Sequence, residues 1–145
     1  MTLQDTRWAR CDIKSVALLA NVLLRQAAVE AGGAEAILLR EGYLTEGSSS
    51  AVHVIIDGEI RTPPRTHQVL PGTTRGFIEE LASAHGIACR SVPVSAAELR
   101  SADEIWLSAA IRGLVAVTRL DGAPVGSGRP GPLWQRVYTL LSAVW

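Results

Sequence analysis

Apolar residues recur at helical spacing between Ser15 and Ala31, where Val16, Leu19, Leu23, Ala27 and Val29, with Leu18 and Val22, form one broad face before Gly32-Gly33. This pattern predicts a helix. The period then shortens, and Glu35 to Leu39, Tyr43 to Thr45, Val52 to Ile56 and Glu59 to Thr62 read as strands of a meander. Glu41-Gly42 and Asp57-Gly58 supply the tight turns between them. Pro63-Pro64 ends the region, and a loop runs to Leu70-Pro71-Gly72. Helical spacing returns from Thr73 to His85 through Phe77, Ile78, Leu81 and Ala82, and Gly86 closes it.

The remaining third alternates. A strand is expected near Ile87 to Val92, and a short helix from Ser95, whose Glu98 completes a capping box. A further strand is expected near Glu104 to Leu107, and an apolar stretch from Leu114 to Leu120 ends at the turn Asp121-Gly122. Glycine-rich sequence from Gly126 to Gly131 then leads into a final helix, Pro132 to Val144. The order of elements predicts an α+β or mixed α/β fold in one domain, with no internal repeat and no linker.

Composition narrows the function classes. With 145 residues, 48% of them hydrophobic, the chain is long enough for one real core. Formal net charge is zero with both signs interspersed, which gives no footprint for nucleic acid or an anionic membrane. The runs Ser15 to Leu24 and Ala34 to Leu39 are too short to span a bilayer, and Met1 to Arg10 has no apolar signal core. A soluble cytoplasmic protein is the expectation. Cys11 and Cys89 stand far apart and read as structural thiols, while His53, His67 and His85 lack the spacing of a metal site. A place for one of these histidines in a cofactor pocket stays open.

Lys14 is the only lysine beside thirteen arginines. Taken alone it reads as a solvated side chain, yet lysine is also the residue that can lose its charge and form a Schiff base, as arginine cannot. Its neighbourhood tips the balance. The stretches Arg10-Cys11-Asp12-Ile13-Lys14-Ser15, Glu35-Ala36-Ile37-Leu38, Thr45-Glu46-Gly47-Ser48-Ser49-Ser50, Leu70-Pro71-Gly72-Thr73-Thr74-Arg75 and Ala102-Asp103-Glu104-Ile105-Trp106-Leu107-Ser108 resemble fold-type IV (class IV) pyridoxal-phosphate aminotransferases, the D-amino acid (D-alanine) aminotransferases most closely.

The resemblance implies pyridoxal 5'-phosphate as cofactor, an amino acid and a 2-oxo acid as substrates, and a homodimer. It implies that Lys14 is the Schiff-base lysine and proton carrier, and that Glu46 bonds the pyridine nitrogen so that the ring acts as an electron sink. By itself Thr45-Glu46-Gly47 would read as a hairpin end. Ser48, Ser49 and Ser50 orient their loop, with Ser49 directed to the cofactor, and Leu70 packs on one ring face. The backbone of Gly72, Thr73 and Thr74, with a threonine hydroxyl, holds the phosphate at a helix N-terminus; without the resemblance this segment would read as a Pro-Gly turn and a threonine cap.

Three departures accompany the resemblance. Ala51 follows the serines where an asparagine is common, and Ser108-Ala109-Ala110-Ile111 replaces a run of hydroxyl residues. Ser108, Ala109 and Ala110, with Arg112 nearby, are expected to line part of the substrate pocket. Ala110 falls where a phosphate-binding threonine is expected, a loss of roughly 1.5–3 kcal/mol of charge-assisted hydrogen bonding. The third departure is the largest. Residues 1–145 correspond to a single C-terminal cofactor-binding lobe, and no counterpart of the family's N-terminal lobe is recognisable. Another chain supplying that lobe is one expectation, and a truncated, catalytically silent remnant is another. Among enzymes, branched-chain L-amino acid transamination and 4-amino-4-deoxychorismate lyase activity remain alternatives to D-amino acid transamination.

Overall fold

A computed structural model describes residues 1–144. Among these described residues, ten strands and four helices follow one another, beginning with β1 (Thr2–Gln4), α1 (Leu19–Glu30), β2 (Ile37–Arg40), β3 (Tyr43–Gly47), β4 (Ala51–Ile56) and β5 (Glu59–Thr62). There follow α2 (Thr73–Ala84), β6 (Cys89–Ser91), α3 (Ala96–Arg100), β7 (Glu104–Ala109), β8 (Gly113–Val117), β9 (Arg119–Leu120), β10 (Ala123–Pro124) and α4 (Pro132–Ser142). The mixed α/β expectation holds.

The meander divides between two sheets. β1, β2 and β3 form a three-stranded sheet in which β1 runs parallel to β2, whereas the central sheet has the order β6-β5-β4-β7-β8. In that central sheet only β5 and β6 are parallel. One face packs Ile55, Ile60, Trp106 and Leu114 against Ile78 of α2 and Val137 and Leu141 of α4. The opposite face packs Val52, Val54, Ile105 and Leu107 against Leu44, Val94 and Leu99. Alternation along each strand feeds both cores, as a sheet covered on two sides requires. The stretch Leu114 to Leu120 is two strands, and the final helix ends at Ser142.

Glu104 fixes the last helix. Its carboxylate accepts the backbone N–H groups of Leu133 and Trp134, each at 2.9 Å, and the Trp106 indole N–H at 2.9 Å. A side chain at Gly131 would collide with this carboxylate, which explains a glycine directly ahead of the helix.

The first helix starts later than its periodicity suggests, and it buries a different stripe. Ser15 Oγ accepts the Ala17 N–H at 3.3 Å and Leu18 N–H donates to the Val16 carbonyl at 2.9 Å, so local turns displace the first helical bonds. Leu24 and Ala28 pack on Ala36 and Leu38, while Leu19, Val22, Leu23 and Val29 stay exposed.

Candidate active site

Glu46 and the serines Ser48, Ser49 and Ser50 lie where β3 passes into β4, and the Leu70 N–H reaches Glu46 there. Glu35 shapes that passage. Its buried carboxylate accepts the Ser49 N–H at 2.9 Å, the Ser49 hydroxyl at 3.2 Å, the Ser50 hydroxyl at 2.7 Å and the Arg112 guanidinium. Burial alone would raise the Glu35 carboxyl, but the hydrogen bonds from Ser50, Arg112 and Ser49 outweigh it and hold the group below its ordinary value. Gly47 is needed here, because a Cβ would strike Ser50 Oγ and the Glu35 carboxylate.

Glu46, in β3 directly ahead of this turn, is buried. One carboxylate oxygen accepts the Leu70 N–H at 3.0 Å and the other pairs with the Arg7 guanidinium. Arg7 is gripped from behind by Asp5, at 2.9 Å from Nε and 2.8 Å from Nη2, and it donates to the Gln68 carbonyl at 3.2 Å. Asp5 further accepts the Thr45 hydroxyl at 2.8 Å and lies 3.2 Å from the Arg40 guanidinium. Burial pushes the Glu46 carboxyl up, and Arg7 is the main group opposing it. Asp5 would also rise on burial, yet Arg7 and Thr45 bring it below its usual value. The chain thus builds a buried, charged wall from its own residues.

The loop from Leu70 to Thr74 closes against that wall through the Leu70 N–H. Gly72 is the N-cap of α2, in extended conformation, and no side chain caps the helix. The first-turn N–H groups of Thr73, Thr74 and Arg75 lack intrahelical acceptors by geometry. Elsewhere Ser95 caps α3, and Glu104 takes the first N–H groups of α4. Thr73 is exposed and Thr74 buried, while Arg75 is committed to Glu79 at 2.7 Å and to the Thr62 hydroxyl at 2.9 Å.

Lys14 is exposed and makes no hydrogen bond or ion pair among the described residues. Its segment is nevertheless anchored to the site. Asp12 N–H donates to the His67 carbonyl at 3.3 Å, and from α1 the Asn21 amide donates to the Ser48 carbonyl at 2.9 Å and Arg25 to Ser49 Oγ at 3.2 Å. Around Lys14 the chain exposes apolar groups: Val16 is 99% and Leu19 72% accessible.

Ser108 is paired across the sheet with Ala51, and its side chain is buried. Ala109 is half-buried and Ala110 exposed, so Ala109 and Ala110 offer methyl groups at the turn leading to Arg112. Arg112 Nη2 lies 3.3 Å from Ser49 Oγ in addition to its bond with Glu35. Cys11 is buried and Cys89 half-buried; burial raises both thiols, Cys89 to about 11. They are poor nucleophiles. His67 and His85 lie at the surface, whereas His53 is buried beside Trp106.

Sequence reasoning gave no role to Asp5, Arg7, Arg40 or Glu35. Glu35 carried a usable signal, a carboxylate abutting the apolar run Ala36-Ile37-Leu38, which favours a buried and therefore partnered charge. Arg7 carried none, since its partner Glu46 lies 39 positions away.

Residues 1–120 match the model of the Amino-transferase class IV family. The chain belongs to that family. Among class IV relatives, the D-alanine aminotransferase of Bacillus licheniformis is 43% identical over 141 residues, which cover 97% of this chain and 50% of the relative. The D-alanine aminotransferase of Staphylococcus aureus (strain MSSA476) is 40% identical over 137 residues, covering 94% and 49%. Among solved structures, the branched-chain amino acid aminotransferase from Escherichia coli superposes with a TM-score of 0.84 at 30% identity, covering 99% of this chain and 52% of that one. This class IV chain spans about half the length of the curated relatives it matches.

Proposed function

We propose that this chain is the cofactor-binding lobe of a pyridoxal-phosphate aminotransferase that moves an amino group between a D-amino acid and a 2-oxo acid. The observation that carries the reading is Glu46, held between Arg7 and the Leu70 N–H beside the uncapped start of α2. The residues fit the cofactor on a second count: Ser48 Oγ is buried without a hydrogen-bond partner among the described residues, an orphan that a bound polar ligand relieves.

When bound, the cofactor supplies an electron-withdrawing ring that stabilises negative charge at the substrate α-carbon. Glu46 holds a proton at the ring nitrogen, and Arg7 favours the carboxylate form that does so. Gly72, Thr73 and Thr74 present N–H and hydroxyl donors to the phosphate, and the α2 dipole adds to them. Leu70 would pack on one ring face, and Ser49 would orient the loop. Lys14 Nζ would attach the cofactor, and as a free amine it would accept and return the α-proton. Ala109 and Ala110 would line part of the substrate pocket. The exposed apolar surface around Lys14 calls for a second wall, from a homodimer partner or a chain supplying the N-terminal lobe. Cys11 and Cys89, both unpaired, fit a reducing compartment such as the cytoplasm.

Higher identity to D-alanine aminotransferases than to the branched-chain structure favours D-amino acids. The superposition on the branched-chain enzyme supports a second reading, L-amino acid transamination. Turnover assays with D-alanine, L-leucine and aminodeoxychorismate separate these. D-Alanine turnover is expected; activity only with L-leucine or only with aminodeoxychorismate overturns the first reading, and cofactor binding without any turnover marks a silent remnant.

A further inference from the structure

His53 and Ser108 form a buried pair for which the roles above have no use. His53, on β4, is 0% exposed, and its Nε2 lies 2.8 Å from Ser108 Oγ on β7. Its Nδ1 has no hydrogen-bond partner among the described residues, and its ring tilts against Trp106 at a centroid separation of 6.2 Å. Both side chains stand on the sheet face that α2 covers, since Trp106, two residues before Ser108 and opposite His53, packs with Ile78. Ser108 is also opposite Ala51, the residue directly after the serine turn, and directly ahead of Ala109-Ala110.

Burial first, then the positive charge of Arg75 in the first turn of α2, lowers the His53 pKa to about 4, so the ring is neutral near pH 7. A neutral imidazole has one N–H. An orphaned buried N–H is costlier than a bare ring nitrogen without a donor, so the hydrogen is assigned to Nε2, where Ser108 Oγ accepts it. That leaves the Ser108 O–H unclaimed. The hydroxyl makes no other hydrogen bond among the described residues, and it can rotate to meet an acceptor.

Resting on the cofactor reading, we propose that Ser108 donates its hydroxyl to the cofactor phosphate in place of the donor missing at Ala110, with His53 Nε2–H as the positioning group that turns it outward. Ser108 shares the sheet face that α2 covers, and a dianionic phosphate at the start of that helix is an acceptor its unclaimed hydroxyl would serve.

The test compares binding of pyridoxal phosphate and of pyridoxal, which lacks the phosphate, to the whole chain and its variants, followed by absorbance of the lysine adduct. Ser108→Ala is expected to weaken pyridoxal phosphate roughly tenfold and leave pyridoxal unchanged. Ser108→Thr should retain tight binding, and His53→Phe should lose part of what His53→Gln keeps. Equal weakening of both aldehydes, or no change in either, overturns the proposal. A wild-type chain that binds neither aldehyde at Lys14 overturns the cofactor reading as well, whereas binding of both with an unaffected Ser108→Ala overturns only the role of Ser108. Long-range proton–nitrogen NMR on the wild-type chain gives an independent readout: the Nε2–H tautomer of His53 is expected, and an Nδ1–H tautomer contradicts the proposal.

Discussion

The wall around Glu46 and the surface around Lys14, which the proposed function joins in one site, are built in opposite ways. Glu46, Arg7 and Asp5 are buried, and their partners all come from within the chain. Lys14 is exposed, with Val16 and Leu19 open to solvent beside it. The difference separates two requirements of catalysis. On the proposed function, the chain itself supplies the buried charges, whereas exclusion of water from Lys14 would take surface from elsewhere.

Arg7→Ala strikes the buried wall most directly. It leaves Asp5 and Glu46 without their shared cation, and a loss of roughly 3–5 kcal/mol in urea unfolding is expected. A loss below about 1 kcal/mol would mean that the wall is solvated. The same comparison can be made within α1, where Leu24→Ala should cost about 2–5 kcal/mol. Leu19→Ala, on the face left bare, should change stability by no more than about 0.5 kcal/mol. Similar effects at the two leucines would show that the bare face is packed in solution.

A third prediction concerns pH. The folded pKa of His53, about 4, lies below its ordinary 6.5, so the unfolded chain binds more protons between those values. Stability from the neutral buried ring is complete above pH 6.5 and is lost as pH falls through 4, up to about 3 kcal/mol. Asp5 and Glu35, both lowered, contribute above the ordinary carboxylate range and lose that contribution at still lower pH. Urea midpoints measured from pH 8 to pH 2 should therefore fall with acid, and His53→Phe should flatten the curve above about pH 4 while the fall below it persists. An unchanged slope in that variant would assign the titration to other groups.

The smallest stability effect is expected at the residue proposed to attach the cofactor. Lys14→Ala should alter unfolding by no more than about 0.5 kcal/mol, since the side chain makes no bond among the described residues. A large loss would show that Lys14 is a structural member of the wall.

Local order was legible in the sequence because it rests on local chemistry. Glu41-Gly42 and Asp57-Gly58 take positive φ at both residues, 53° and 81° in the first pair and 52° and 74° in the second, as tight hairpins demand. The Ser95-Glu98 capping box formed as read. The glycine and the two threonines from Gly72 to Thr74 stand at the start of α2, where the resemblance put them. What escaped depends on long-range partners. Thr2–Gln4 is too short to show a period, and becomes a strand only by lying parallel to β2. The Arg7–Glu46 pair crosses from the N-terminal segment to β3, and the buried stripe of α1 is decided by Ala36 and Leu38, which no helical periodicity reveals. Of the buried pair His53–Ser108, the sequence offers only a histidine in an apolar strand.

The most direct measurement is to treat the purified chain with pyridoxal phosphate, reduce with borohydride and locate the added mass by peptide mass spectrometry. A site built on the Glu46 wall predicts the cofactor mass on Lys14, absent from Lys14→Ala. Mass found only at the N-terminal amine, with the chain folded, would contradict the assignment of Lys14 as the cofactor lysine.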